Sequence, residues 1–118
     1  IPLHAKALGV RYTSHLDEAL KGADVIMALR IQRERQGGGL FPSLNEYRQR
    51  FAITHNRLKA VGKKDFLIMH PGPINRGIEI DTSVADGPHS VILDQVTNGL
   101  AIRMAVLYLL GGGKPADA

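Results

Sequence analysis

Cysteine is absent from this chain, which excludes a disulfide framework and any thiolate metal or redox centre. Tryptophan is absent too, and Phe and Tyr supply three residues each. That leaves no row of aromatics interleaved with basic residues of the kind nucleic-acid binders use to stack bases. No apolar run approaches the ~18 residues a transmembrane helix needs. The five histidines, His4, His15, His55, His70 and His89, lack ligand-like spacing, so no metal is expected. There is no internal repeat, and Ile1-Pro2-Leu3-His4 has no charged-then-apolar leader pattern. The chain also lacks an initiator methionine, and the expectation is that it begins partway through a longer protein.

What is present suits one small domain. The chain has 118 residues, 44% of them apolar, enough for one modest core and not two. Its formal net charge is +4, and the excess is local. Arg30, Arg33, Arg35, Arg48, Arg50, Arg57, Lys59, Lys63 and Lys64 face only Glu34 and Glu46 in that stretch. Such a field favours anionic partners. Small anionic substrates account for it at least as well as nucleic acid, and a solvated helix face accounts for most of the side chains.

The rhythm along the chain is β-α-β. Leu3 to Leu8 reads as a helix tail stopped by Gly9, and Val10 to Thr13 as a short strand. Leu16 to Leu20 reads as a short helix, with Gly22 leading into a strand over Val25 to Leu29. Gln36-Gly37-Gly38-Gly39 reads as a flexible loop. Ser43 and Glu46 have capping-box spacing, which predicts a helix to about Arg50. Thr54 is an N-cap for a helix through Ala60, closed by Gly62. Phe66 to His70 is a third strand, and after a polar stretch from Thr82 to Pro88 a long helix runs from Ser90 to Leu110. The fold class this implies is α/β, part of a doubly wound parallel sheet with flanking helices. The last helix is apolar on several faces and wants burial on several sides. Residues 111–118 read as a flexible tail.

Two segments carry the chemistry. In His70-Pro71-Gly72-Pro73 two prolines bracket a glycine directly after the apolar run Phe66-Leu67-Ile68-Met69. Neither proline can donate to a ladder, so the strand must stop in a rigid corner whose carbonyls are free to face a ligand. In open α/β sheets ligands bind at that end of the strands. The Gly72–Pro73 bond is expected to be cis. The second segment is Ala28-Leu29-Arg30-Ile31-Gln32-Arg33-Glu34-Arg35, after the apolar run Val25-Ile26-Met27. A guanidinium just past a strand end can hold a carboxylate in two directions.

Taken together, L-R-I-Q-R-E-R, F-P-S-L-N-E-Y-R-Q-R-F, H-P-G-P-I-N-R-G-I-E-I-D and Q-V-T-N-G-L-A-I-R-M-A resemble the aspartate carbamoyltransferase family. The resemblance is to the aspartate-binding part of its catalytic chain and runs from about Leu8 to Leu110. It implies a transferase of pyrimidine biosynthesis that needs no cofactor, acts on L-aspartate and carbamoyl phosphate, and works as a cytoplasmic homotrimer. Regulatory or dihydroorotase-like chains are further implied partners, and neither nucleic acid nor membrane is. By resemblance Arg30 grips the aspartate side-chain carboxylate and Gln32 supports the amino-acid end. The carbonyls of Gly72 and Pro73 accept from the carbamoyl NH₂ and the attacking amine. Arg76 and Glu79 fall where the family places a loop that closes over aspartate.

Other polar residues read as structural. Arg33, Glu34 and Arg35 brace the loop, His70 makes a structural hydrogen bond and is not the general base, and His55 and His89 lie at the surface. Gln95, Asn98 and Arg103 match the family's helix, where Asn98-Gly99 allows close packing. The family's S-T-R-T-type phosphate loop is missing, as is the first β-α unit of the aspartate domain. Gly111-Gly112-Gly113-Lys114 follows a helix instead of opening one. Residues 1–110 are therefore expected to form an incomplete aspartate-binding domain, inactive alone, whose last helix packs on the absent carbamoyl-phosphate domain. An ornithine carbamoyltransferase-like fragment and a non-catalytic assembly module with this fold are the alternatives.

Overall fold

The computed structural model describes residues 3–31 and 43–112. After a 3₁₀ turn over Leu3–Leu8 come helix α1 (Leu16–Leu20), strand β1 (Val25–Met27), helices α2 (Leu44–Phe51) and α3 (His55–Leu58), strand β2 (Leu67–Met69), and helices α4 (Thr82–Ala85) and α5 (Ile92–Leu110). Gln32 to Arg35, the triple-glycine loop and residues 113–118 lie outside the described residues.

The centre is a parallel pair. Val25, Ile26 and Met27 stand opposite Leu67, Ile68 and Met69, as the β-α-β rhythm requires. On the other side of β2, Ile68 N–H donates to the His89 carbonyl at 2.8 Å and Val91 N–H donates to the Ile68 carbonyl at 3.0 Å. A second parallel bridge joins Ile53 to Ile80, through Ile53 N–H to the Glu79 carbonyl and Asp81 N–H to the Ile53 carbonyl. Ile26, Ile53, Ile68, Ile80, Val84 and Ile92 form one buried cluster with their neighbours. β-Branched residues suit this role, since they pack well on a pleated surface.

The caps follow the sequence. Ser43 Oγ accepts from Glu46 N–H at 3.1 Å, and Thr54 Oγ1 accepts from Arg57 N–H at 3.3 Å. Gly9 and Gly62 take the left-handed conformation, φ +75° and +76°, that favours glycine after a helix. α3 ends at Leu58 and tightens into a 3₁₀ turn over Lys59–Val61. The polar stretch after Ile80 hides the short helix α4, whose Val84 and Ala85 are buried.

One expectation fails. Val10 to Thr13 forms no strand and is exposed. A strand must pair its backbone groups with a neighbour, and none lies beside it among the described residues. At Asn98-Gly99, where close helix packing was expected, a Cβ on Gly99 would meet only Arg103 of its own helix among the described residues, which leaves that face open.

α5 buries Ile92 and leaves the rest of its apolar surface uncovered. Leu93, Leu100, Ile102, Met104, Leu107 and Leu110 are each more than half exposed. One face of the sheet is likewise open at Val25, Met27 and Leu67. Among the described residues no helix is long and apolar enough to cross a membrane. Patches of this kind mark interaction surfaces or aggregation sites. The isolated chain is therefore expected to bind a hydrophobic dye or self-associate, and a dye-silent monomer in solution would contradict this. Ile68→Ala, at a residue 1% exposed, is expected to cost about 2–5 kcal/mol in urea denaturation.

Candidate functional site

The parallel register places both candidate segments on one edge. Met27 and Met69 are partners, and Ala28 N–H donates to the Met69 carbonyl at 2.9 Å, extending the pairing by one bond. Arg30 stands three residues past Met27, and Gly72 three residues past Met69. Both therefore leave the sheet at its C-terminal edge. Arg30 is half-buried, between exposed Leu29 and buried Ile31. The Gly72–Pro73 peptide is cis and Gly72 has φ +71°, a backbone that an L side chain resists.

Beneath the corner lies a buried polar cluster. His70 is fully buried and Glu79 is 2% exposed. His70 Nδ1 accepts from Gly72 N–H at 2.8 Å, and Nε2 lies 3.3 Å from Glu79 Oε1. The same oxygen accepts from Asn75 N–H at 2.6 Å. His70 N–H donates to Gln95 Oε1 at 2.9 Å, and the Gln95 amide reaches the Met27 sulfur at 3.9 Å. One side chain of α5 thus touches the ends of both strands. Tyr47 is raised above its ordinary 10.0, first by burial and then by the negative charge of Glu79.

Several cations elsewhere are already committed. Arg48 pairs with Asp81 at 2.9 Å and Arg50 with Glu46. Arg57 binds the Ala52 carbonyl and Asp17, and Lys63 binds Asp24. A shallow hollow of about 370 Å³ bordered by Asn45, Arg48, Gln49, Thr54, Asn56 and Arg57 draws on these engaged residues and includes none from the sheet edge. Among the described residues no group of three or more His, Asp or Glu could hold a metal ion.

A family model for the aspartate/ornithine carbamoyltransferase Asp/Orn-binding domain matches residues 3–110. The chain belongs to this family. It is 58% identical over 116 residues to the aspartate carbamoyltransferase catalytic subunit of Desulfitobacterium hafniense, a match that covers 98% of this chain and 37% of that protein. The catalytic subunit of Desulfosudis oleivorans is 57% identical over 114 residues, covering 97% and 36%. Among solved structures, ornithine carbamoyltransferase from Pyrococcus furiosus superposes with TM-score 0.67 at 34% identity, over 85% of this chain and 32% of that one. Aspartate transcarbamoylase from Trypanosoma cruzi, in complex with carbamoyl aspartate and phosphate, superposes with TM-score 0.65 at 28% identity, over 82% and 28%. The chain thus spans about a third of the length of the curated relatives it matches.

Against this family frame the site residues fall into three groups. Arg30, Gly72 and Pro73 share the sheet edge. Gln32 lies outside the described residues. Arg76 and Glu79, assigned by resemblance to a loop that closes over aspartate, are placed differently in the structure. Arg76 is exposed and grips Asp86 through two nitrogens at 2.6 and 2.9 Å, while Glu79 is buried under the corner. Sequence reasoning gave Glu79 no buried role, because burial is set by segments distant in the chain. Its setting between Ile78 and Ile80 was the available signal: a carboxylate flanked by isoleucines needs buried N–H donors. His89, read as a surface residue, stacks on Phe66 with ring centroids 4.0 Å apart while its carbonyl serves β2. His55 is exposed, as expected.

The Arg76–Asp86 pair has a measurable pH signature. The hydrogen bond from Arg76 is the main reason Asp86 titrates below its ordinary 3.8. A carboxyl depressed in the folded state stabilises the fold above its unfolded pKa and loses that contribution as pH falls through the folded value. Arg76→Ala should return Asp86 towards 3.8 in an NMR carboxyl titration. The stability gap between variant and parent, small at an exposed site, should be present at neutral pH and close in acid.

Proposed function

We propose that the complete protein transfers the carbamoyl group of carbamoyl phosphate to the amine of L-aspartate, and that this chain supplies the aspartate side of the site. The observation that carries the reading is the shared exit of Arg30 and the Gly72–Pro73 corner from one sheet edge. In this reaction the amine nitrogen forms a bond to the carbamoyl carbon, the carbon–oxygen bond to phosphate breaks, and the amine gives up a proton. Arg30 holds the side-chain carboxylate of aspartate by a charge-assisted pair, with Gln32 at the amino-acid end. The carbonyls of Gly72 and Pro73 accept from the carbamoyl NH₂ and the incoming amine. Backbone acceptors do not titrate, so they orient both reactants at any pH the fold tolerates. Arg76 belongs to the segment that closes over aspartate.

Carbamoyl phosphate needs convergent cationic and N–H donors, and no phosphate loop occurs in this sequence. The carbamoyl-phosphate domain of the complete chain supplies them and packs against the exposed side of α5. The resulting enzyme is a cytoplasmic homotrimer of pyrimidine biosynthesis, open to regulatory or dihydroorotase-like partners. The ornithine reading draws on the likeness to the Pyrococcus furiosus enzyme. Leu29-Arg30-Ile31-Gln32 favours aspartate, because a guanidinium attracts a side-chain carboxylate and repels an ammonium.

This chain alone should not turn over aspartate and carbamoyl phosphate, whereas the Desulfitobacterium hafniense subunit carrying it in place of the matched segment should. In that hybrid Arg30→Ala removes a contact worth about 1.5–3 kcal/mol, so kcat/KM for aspartate should fall about 10- to 150-fold. The KM for carbamoyl phosphate should hold. Unchanged aspartate kinetics, or equal use of ornithine by the parent hybrid, would refute the reading.

A further inference from the structure

The cluster under the corner has a direction that its chemistry dictates. Gly72 N–H can only donate, so His70 Nδ1, 2.8 Å away, must be the acceptor. In the neutral ring the proton then sits on Nε2. That N–H is inside a fully buried side chain and requires an acceptor of its own. Glu79 Oε1 stands 3.3 Å from it and takes the Asn75 N–H as well.

We infer that Glu79 is a positioning residue for the Gly72–Pro73 corner, acting through the His70 tautomer. A peptide group is planar, so anchoring Gly72 N–H sets the plane of the Pro71–Gly72 peptide at the start of the corner. Anchoring Asn75 N–H to the same carboxylate sets the far side. One buried oxygen thus clamps both ends of the Gly72-Pro73-Ile74 segment, and the carbonyls between them inherit their direction. The inference rests on the proposed function for what those carbonyls do, but the clamp itself is a property of this chain. Gln95 adds a third tether by accepting from His70 N–H. The second carboxylate oxygen, Oε2, is buried with no hydrogen-bond partner among the described residues. A glutamine could therefore keep the Oε1 contacts and place its amide nitrogen where no bond is lost.

The test uses the hybrid subunit with ¹⁵N-labelled histidine, read by magic-angle-spinning NMR, with His70 assigned by the signal lost in His70→Gln. The parent and Glu79→Gln should show the Nε2–H tautomer at His70, and Glu79→Leu should lose it. In steady-state kinetics Glu79→Leu should lower kcat about 10- to 100-fold, the scale expected when reacting groups shift by an ångström. The KM for aspartate should hold, and Glu79→Gln should restore most of the rate. A proton on Nδ1 in the parent, unchanged kcat in Glu79→Leu, or equal damage from Gln and Leu would each overturn the inference. If Glu79→Leu does not fold, the parent tautomer and the Glu79→Gln rate decide. A parent hybrid with no carbamoyltransferase activity overturns the proposed function instead, and the tautomer still decides the clamp.

Discussion

The in-register pairing of β1 with β2 is the constraint on which the rest depends. Parallel strands must run the same way, so their C-terminal ends meet on one side. With Met27 opposite Met69, the residues that follow each strand are delivered to the same edge without any further device. A slip of one residue would turn Ile26 and Ile68, both buried, towards the open face. The hydrophobic core therefore enforces the register, and the register assembles the site. Burying each isoleucine contributes about 1.5–3 kcal/mol, enough to make slipped pairings rare.

Polar groups divide by depth into two kinds with different consequences. The exposed pairs, such as Arg50–Glu46 and Arg76–Asp86, are screened by water and add little. Pairs of this kind at Arg48, Arg50, Arg57 and Lys63 offset part of the local positive charge that composition alone offers to a polyanion. The His70–Glu79 pair is buried, where an unmatched carboxylate would be costly. Its donors come from the corner backbone, so folding the core and shaping the corner are one event. Gln95 extends that coupling to α5, which places a helix otherwise remote from the site in contact with both strand ends.

An α/β sheet of this class normally covers both faces with helices. Here one face and most of α5 remain exposed, which agrees with a chain that spans about a third of its relatives' length. The apolar surface lies on α5 and on one face of the strands that carry the site.

Much was legible in residues whose role is local. Ser43 with Glu46, Thr54, Gly9 and Gly62 act within a turn of their own position, and the structure has the caps and left-handed turns they predict. The Pro71–Pro73 corner and the two central strands were legible for the same reason: proline geometry and short apolar runs are properties of a few consecutive residues. Val10 to Thr13 was misread because a strand exists only with a neighbour, and pairing is not a local property. The stacking of His89 on Phe66 and the burial of Glu79 were not legible, because they depend on what packs above a residue, and that is set by segments far away in the chain. The sequence by itself determined which short apolar runs became the paired strands and where the capped helices start. Only the tertiary structure decided that a glutamate nine residues from His70 would sit beneath it, because burial and hydrogen-bond direction arise when distant segments meet.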